Sequence, residues 1–207
     1  MTRTESNGGW AVIPAGFRIL VVGSTDTCRS PLAARILQRE LDDRAPGEFA
    51  VSSAGTKAVM GRPAVVEVLE LAARRNIRLH GFVASEFDEA AALETDLILV
   101  MDRVIRREVV NRVPQALRFT FTLREFARIL PTIRPERLAA PAGRWQSLAA
   151  LAPRYRTAPR GDGSDDDVID PLFRSLRTFE RMGSQIDKAV STIGHWEVQE
   201  HVYGGPG

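Results

Sequence analysis

The 207-residue chain has very little cysteine. Cys28 stands alone, which excludes an internal disulfide and any zinc site built on several thiolates. Histidine is almost as scarce. His80, His195 and His201 are too scattered in sequence to suggest a metal cluster. No apolar run approaches the roughly 18 residues that span a bilayer, so no membrane association is expected. The first residues, MTRTESNGGWAVIPAG, lack the basic-then-apolar layout of a secretory signal, and a cytoplasmic setting is expected. Charge of one sign is also missing. The net charge is +2, too weak a field to recruit nucleic acid. No sequence feature calls for a cofactor, and no repeats occur.

What is present is the balance of a globular protein: 44% hydrophobic and 26% charged residues. The length suits one substantial core with an insertion. Residues 1–16 are polar and aperiodic and read as a loose arm. Phe17–Val22 is a β-branched apolar run, the mark of a strand buried on both faces. Gly23–Thr27 has loop composition, and Ser30-Pro31 suits a first helical turn. Apolar residues at 32, 33, 36, 37 and 41 continue one helical face. A short strand is predicted at Phe49–Ser53, a helix over 64–75, a second buried strand at Thr95–Met101 and a helix over 103–112. A further short strand falls at Phe119–Thr122, with a helical segment from Leu123. Apolar spacing predicts a closing helix from Leu172 to about Ile193. Strands alternating with helices indicate an α/β fold with a mainly parallel central sheet. Residues 131–167 break the rhythm with prolines, glycines and the acidic run Asp165-Asp166-Asp167, and read as an insertion within a domain over 17–195. Within it, Trp145–Leu151 is helical and suits a lid, a docking element or simple surface decoration, and the acidic run reads as a solvated loop. Residues 196–207 read as a tail.

In α/β folds ligands sit at the carboxyl ends of strands, where a loop feeds a helix. Val22–Ser30 is such a junction. Loop N–H groups and the helix start would converge on an anion, and Arg29 could add a bidentate fork. A nucleotide-binding P-loop is a poor match, because Cys28 and Arg29 replace its second glycine and its lysine.

A second resemblance is closer. Gly23-Ser24-Thr25-Asp26-Thr27-Cys28-Arg29-Ser30-Pro31 resembles the C-T-G-N-x-C-R-S-P loop of low-molecular-weight protein tyrosine phosphatases. Val51–Thr56 resembles their S-S-A-G-T stretch, Thr95–Met101 their A-D-L-I-L-x-M strand, and Asp170-Pro171 with Phe173 their D-P-[YF] acid loop. The resemblance implies a three-layer α/β fold and carries roles residue by residue. Arg29 and the loop amides bind phosphate, Ser30 follows as the hydroxyl that serves the nucleophile, Asp170 is the general acid, and Phe173 walls the substrate slot. The nucleophile itself does not carry over. Gly23 stands in its place, and covalent catalysis needs a thiolate there. Arsenate reduction, found among the family's cousins, needs several cysteines.

Thr25 and Asp26 also depart from the pattern, which has glycine and asparagine at these positions. A carboxylate beside an anion cradle repels a phosphate dianion by several kcal/mol at roughly intermediate dielectric, unless Asp26 turns outward or pairs with Arg29. Three readings follow. The first is a pseudophosphatase whose 23–30 loop (Gly23, Ser24, Thr25, Asp26, Thr27, Cys28, Arg29, Ser30) binds a small anionic or polar ligand or a protein partner. The second is a repurposed enzyme with Asp26 and Asp170 as paired acid and base. The third is a weak phosphatase using Cys28 or water, although Cys28 suits a buried structural thiol better.

Overall fold

The computed structural model describes residues 16–133, 141–159 and 161–198. Predictions for the arm over 1–15, for 134–140 and for the tail after 198 lie outside them. The first strand, β1 (Phe17–Gly23), leads into helix α1 (Arg29–Asp42) and strand β2 (Phe49–Gly55). Helices α2 (Val66–Ala73) and α3 (Glu89–Leu93) precede strand β3 (Leu97–Val100) and helix α4 (Arg103–Arg112). Strand β4 (Thr120–Thr122) runs straight into α5 (Leu123–Ile129), followed by α6 (Pro141–Leu151) and α7 (Leu176–Val198).

The strands form one four-stranded sheet in the order β2-β1-β3-β4, every pair parallel. Each strand-to-strand connection must therefore cross a face of the sheet, and the helices that do so cover it. This explains why β1 and β3 are apolar at nearly every position. Val21 and Val22 are buried, as are all four residues of β3. On α1, Leu32, Ala33, Ile36, Leu37 and Leu41 face the core. On α7 the buried positions include Phe179, Met182, Ile186, Ala189, Val190, Ile193 and Trp196.

The insertion differs from its sequence reading. Trp145 on α6 is fully buried, edge-on to Phe17 at 5.5 Å and to Phe49 at 5.0 Å. Those two phenylalanines open β1 and β2, at the opposite end of the strands from Gly23 and Gly55, so α6 plugs the base of the sheet and is not a lid. Trp196 meets Trp145 edge-to-face at 5.9 Å and donates its indole N–H to the Ile133 carbonyl at 2.9 Å. The last helix thus crosses the 195/196 boundary as an ordered part of the core.

The acidic run is not a solvated loop either. Asp166 is buried and takes Nε and Nη2 of Arg128, both at 3.0 Å, while Asp167 pairs with Arg103 at 3.0 Å. Burying a carboxylate is tolerable only with such partners. These pairs fasten the insertion's end to α4 and α5, which delivers Asp170 to the sheet's carboxyl edge.

Candidate functional site

β1 ends at Gly23, in register with Gly55 at the end of β2. The loop that follows is stapled from outside through its carbonyls. Thr56 N–H donates to the Gly23 oxygen (3.1 Å), Lys57 N–H to that of Ser24 (2.8 Å) and Val65 N–H to that of Thr27 (2.9 Å). With the carbonyls held outward, the N–H groups turn in. Among the described residues, those of Thr25 through Ser30 find no backbone acceptor. The Cys28 thiol at the start of α1 caps nothing, so the helix's first N–H groups also stay free. Unpaired loop N–H groups feeding a helix N-terminus are an arrangement able to accept an anion. Gly55 permits the close packing beneath it, since a β-carbon there would lie 2.5 Å from the Ser24 oxygen and 2.7 Å from the Asp26 nitrogen.

Asp26 neither turns outward nor pairs with Arg29. Its backbone is left-handed (φ 53°), a conformation that Asp and Asn tolerate better than most residues. Its carboxylate faces inward, only 1% exposed. It accepts the Ser30 hydroxyl at 2.9 Å and the Ser85 N–H at 3.0 Å. Burial pushes its pKa up to about 6, against the opposing pull of these two bonds and of the Ser53 hydroxyl. The carboxylate therefore braces the loop from behind and does not face Asp170 as an acid–base partner.

Ser30 occupies the space beside Gly23. A β-carbon built on Gly23 would lie 2.4 Å from the Ser30 oxygen and 3.1 Å from its β-carbon. The hydroxyl stands where a residue-23 side group would begin.

Arg29 is only 6% exposed and is tied on both arms. Nη1 donates to Asp102 at 2.8 Å and to the Val168 carbonyl at 2.9 Å, and Nη2 donates to Asp170 at 2.9 Å. Asp102 also caps α4 by accepting the Ile105 N–H at 2.8 Å. Asp170 is 45% exposed and accepts the Leu172 N–H at 3.1 Å, an Asx turn that shapes the loop after Val168. That loop hangs from the core through Val168 N–H to the Met101 carbonyl (2.8 Å) and Ile169 N–H to Gln185 (2.9 Å).

The sequence-predicted positions Gly23, Ser24, Thr25, Asp26, Cys28, Arg29, Ser30 and Asp170 thus line one small cavity. Thr27 stands just behind it, its hydroxyl 2.8 Å from that of Thr25. Phe173 does not join them. It is fully exposed, at 104%, with a left-handed backbone (φ 61°) that swings the ring into solvent. Leu172, directly after Asp170-Pro171, lines the cavity in its place. Asp102 and Ser85 escaped the sequence reading. Asp102 had a signal, an aspartate between an apolar strand and a helix, whereas Ser85 sits in an irregular stretch with none. Cys28 is buried, and desolvation pushes its thiol up to about 12, so it stays protonated at neutral pH. Among the described residues no group of His, Cys, Asp or Glu could hold a metal ion, and no helix is long and apolar enough to cross a membrane.

Comparison with known proteins agrees with this geometry. A putative low molecular weight protein-tyrosine-phosphatase of Klebsiella pneumoniae is 34% identical over 98 residues, 47% of this chain and 65% of that one. The probable low molecular weight protein-tyrosine-phosphatase EpsP of Ralstonia nicotianae is 36% identical over 107 residues, 52% of this chain and 70% of that one. The match thus spans about two thirds of the length of these relatives. Among solved structures, Vibrio vulnificus Wzb with benzylphosphonate superposes with a TM-score of 0.63 at 22% identity, over 87% of this chain and 98% of that one. The YwlE arginine phosphatase of Geobacillus stearothermophilus superposes with a TM-score of 0.65 at 22% identity, over 92% and 99%. At this identity the superpositions speak for the fold. The profile of the low molecular weight phosphotyrosine protein phosphatases matches residues 18–131, more than half of the sequence, and the protein belongs to that family.

Proposed function

We propose that this protein is a pseudophosphatase, a member of the family that holds an anionic group or a protein partner at the 23–30 cradle without cysteine-dependent turnover. The observation that carries the reading is the Ser30 hydroxyl, 2.4 Å from the position of a residue-23 β-carbon. The nucleophile is absent, and the Ser30 hydroxyl, which would have to turn aside to admit a side chain at residue 23, is itself hydrogen-bonded to Asp26. The free amides of the loop support retained binding, and the buried, protonated Cys28 offers no substitute nucleophile. The inward carboxylate of Asp26 gives no support to a paired-carboxylate enzyme. A cytoplasmic setting accords with a protein whose one thiol is free and buried.

Hydrolysis of p-nitrophenyl phosphate tests the reading. The expected rate is that of buffer for the native protein and for Cys28→Ala alike. A rate above buffer that Arg29→Ala abolishes overturns it.

A further inference from the structure

The loop amides able to receive an anion run from Thr25 to Ser30, and Asp26 stands within that run. Its side chain is 1% exposed and its partners are all uncharged: the Ser30 hydroxyl at 2.9 Å, the Ser85 N–H at 3.0 Å and the Ser53 hydroxyl of β2. The charged groups around it are engaged elsewhere. On its own loop, Arg29 is bonded to Asp102 and Asp170, and the Cys28 thiol stays protonated. Beyond β2, Lys57 pairs with Glu108 at 2.6 Å. On the segment that supplies Ser85, Glu86 is exposed. On α2, Glu67 adds negative charge that is felt at Cys28. Among the described residues no cation bonds to Asp26, and burial raises its pKa to about 6.

The two protonation states present different cradles. Ionised, Asp26 takes the Ser30 proton, so the Ser30 oxygen beside Gly23 offers the cavity only lone pairs. A full negative charge also lies behind the amides. Both features oppose an anion. Protonated, the carboxyl loses that charge. The oxygen that meets the Ser85 N–H must remain an acceptor, so the proton sits on the oxygen facing Ser30 and donates to it. The Ser30 proton then turns toward the cavity and adds a donor to the free amides. Charge and hydrogen bonding change in the same direction.

Building on the pseudophosphatase reading, we infer that Asp26 is a proton switch for the cradle: an oxyanion binds best when Asp26 is protonated and is released as the carboxyl ionises. The proton comes from solvent and returns to it. Asparagine at this position donates to Ser30 at every pH and carries no switch.

Sulfate is the probe, because it stays a dianion at both pH 5 and pH 8. It is titrated into the native protein at these two pH values and fixed ionic strength, and followed by the amide shifts of Thr25–Ser30. A buried carboxylate several Å from a dianion predicts binding at least about tenfold weaker at pH 8 than at pH 5. Asp26→Asn is expected to bind at pH 8 about as tightly as the native protein does at pH 5. Linkage supplies a second reading on the native protein alone. The Asp26 carboxyl carbon should titrate about one pH unit higher in saturating sulfate than without it. Equal sulfate affinity at the two pH values, a pH dependence unchanged in Asp26→Asn, an Asp26 midpoint unmoved by sulfate, or loop amides unmoved at both pH values overturns the inference. Those results leave the pseudophosphatase reading standing, because only turnover of p-nitrophenyl phosphate sinks that.

Discussion

Replacing Asp26 with asparagine gives the sharpest physical test of how the loop is built. The Asp26 carboxyl is buried with a pKa of about 6, against 3.8 for a free aspartate. A carboxyl whose folded pKa is raised binds its proton more tightly in the folded state. Its ionisation therefore costs stability above the folded pKa, and the cost disappears as pH falls toward 3.8. A shift of about two units corresponds to about 3 kcal/mol at full ionisation. Asparagine fits the same place without charge. Its oxygen can accept the Ser85 N–H, and its amide can donate to Ser30, which then accepts. Asp26→Asn should thus stabilise the protein by about 1–3 kcal/mol at pH 8, or roughly 3–10 °C in Tm for a protein of this size, with the gain fading by about pH 4. Other groups titrate over the same range, so the readout is the difference between variant and native protein in urea or thermal melts across pH. A variant less stable at pH 8, or a gain that does not change with pH, refutes the account of Asp26.

Further outcomes follow from the packing. Gly55→Ala would drive a β-carbon to 2.5 Å from the Ser24 carbonyl oxygen, against backbone that cannot rotate away; urea denaturation should show a loss of at least about 1–3 kcal/mol. Trp145→Ala should cost about 3–5 kcal/mol, yet leave the amide shifts of the cradle in place, because the indole plugs the far end of the sheet. Cys28, buried and protonated, should resist an aromatic disulfide reagent in the native protein and react in guanidinium. Reaction at equal rates in both states would contradict its placement.

Much of this was legible in the sequence because it is local. The apolar runs at Phe17–Val22 and Thr95–Met101 announce strands buried on both faces, and these are the cores of β1 and β3. The loop-to-helix junction announces the cradle and the absence at Gly23. Most of the misreadings involve contacts distant in sequence, and one involves a local turn. Leu172 and Phe173 fit a 3.6-residue period and extended the predicted closing helix backward, but the Asx turn at Asp170 and the left-handed Phe173 delay its start to Leu176. Trp145 gave no sign of reaching Phe17 and Phe49, both far away in sequence. The partners of Asp166 and Asp167 lie on α4 and α5. Spacing alone could not say that Asp26 would bond Ser30 and Ser85 instead of Arg29.

In this protein the loop framework is retained while the Ser30 hydroxyl, held by Asp26, stands against the position a residue-23 side chain would take. Turnover of p-nitrophenyl phosphate by Gly23→Cys, with and without Asp26→Asn, tests it most directly. Asparagine can donate to Ser30 and frees the hydroxyl's proton to serve a thiolate, so the double variant should hydrolyse the ester at least tenfold faster than the single one, with the native protein silent. Equal rates in the two variants, or turnover by the native protein, would contradict it.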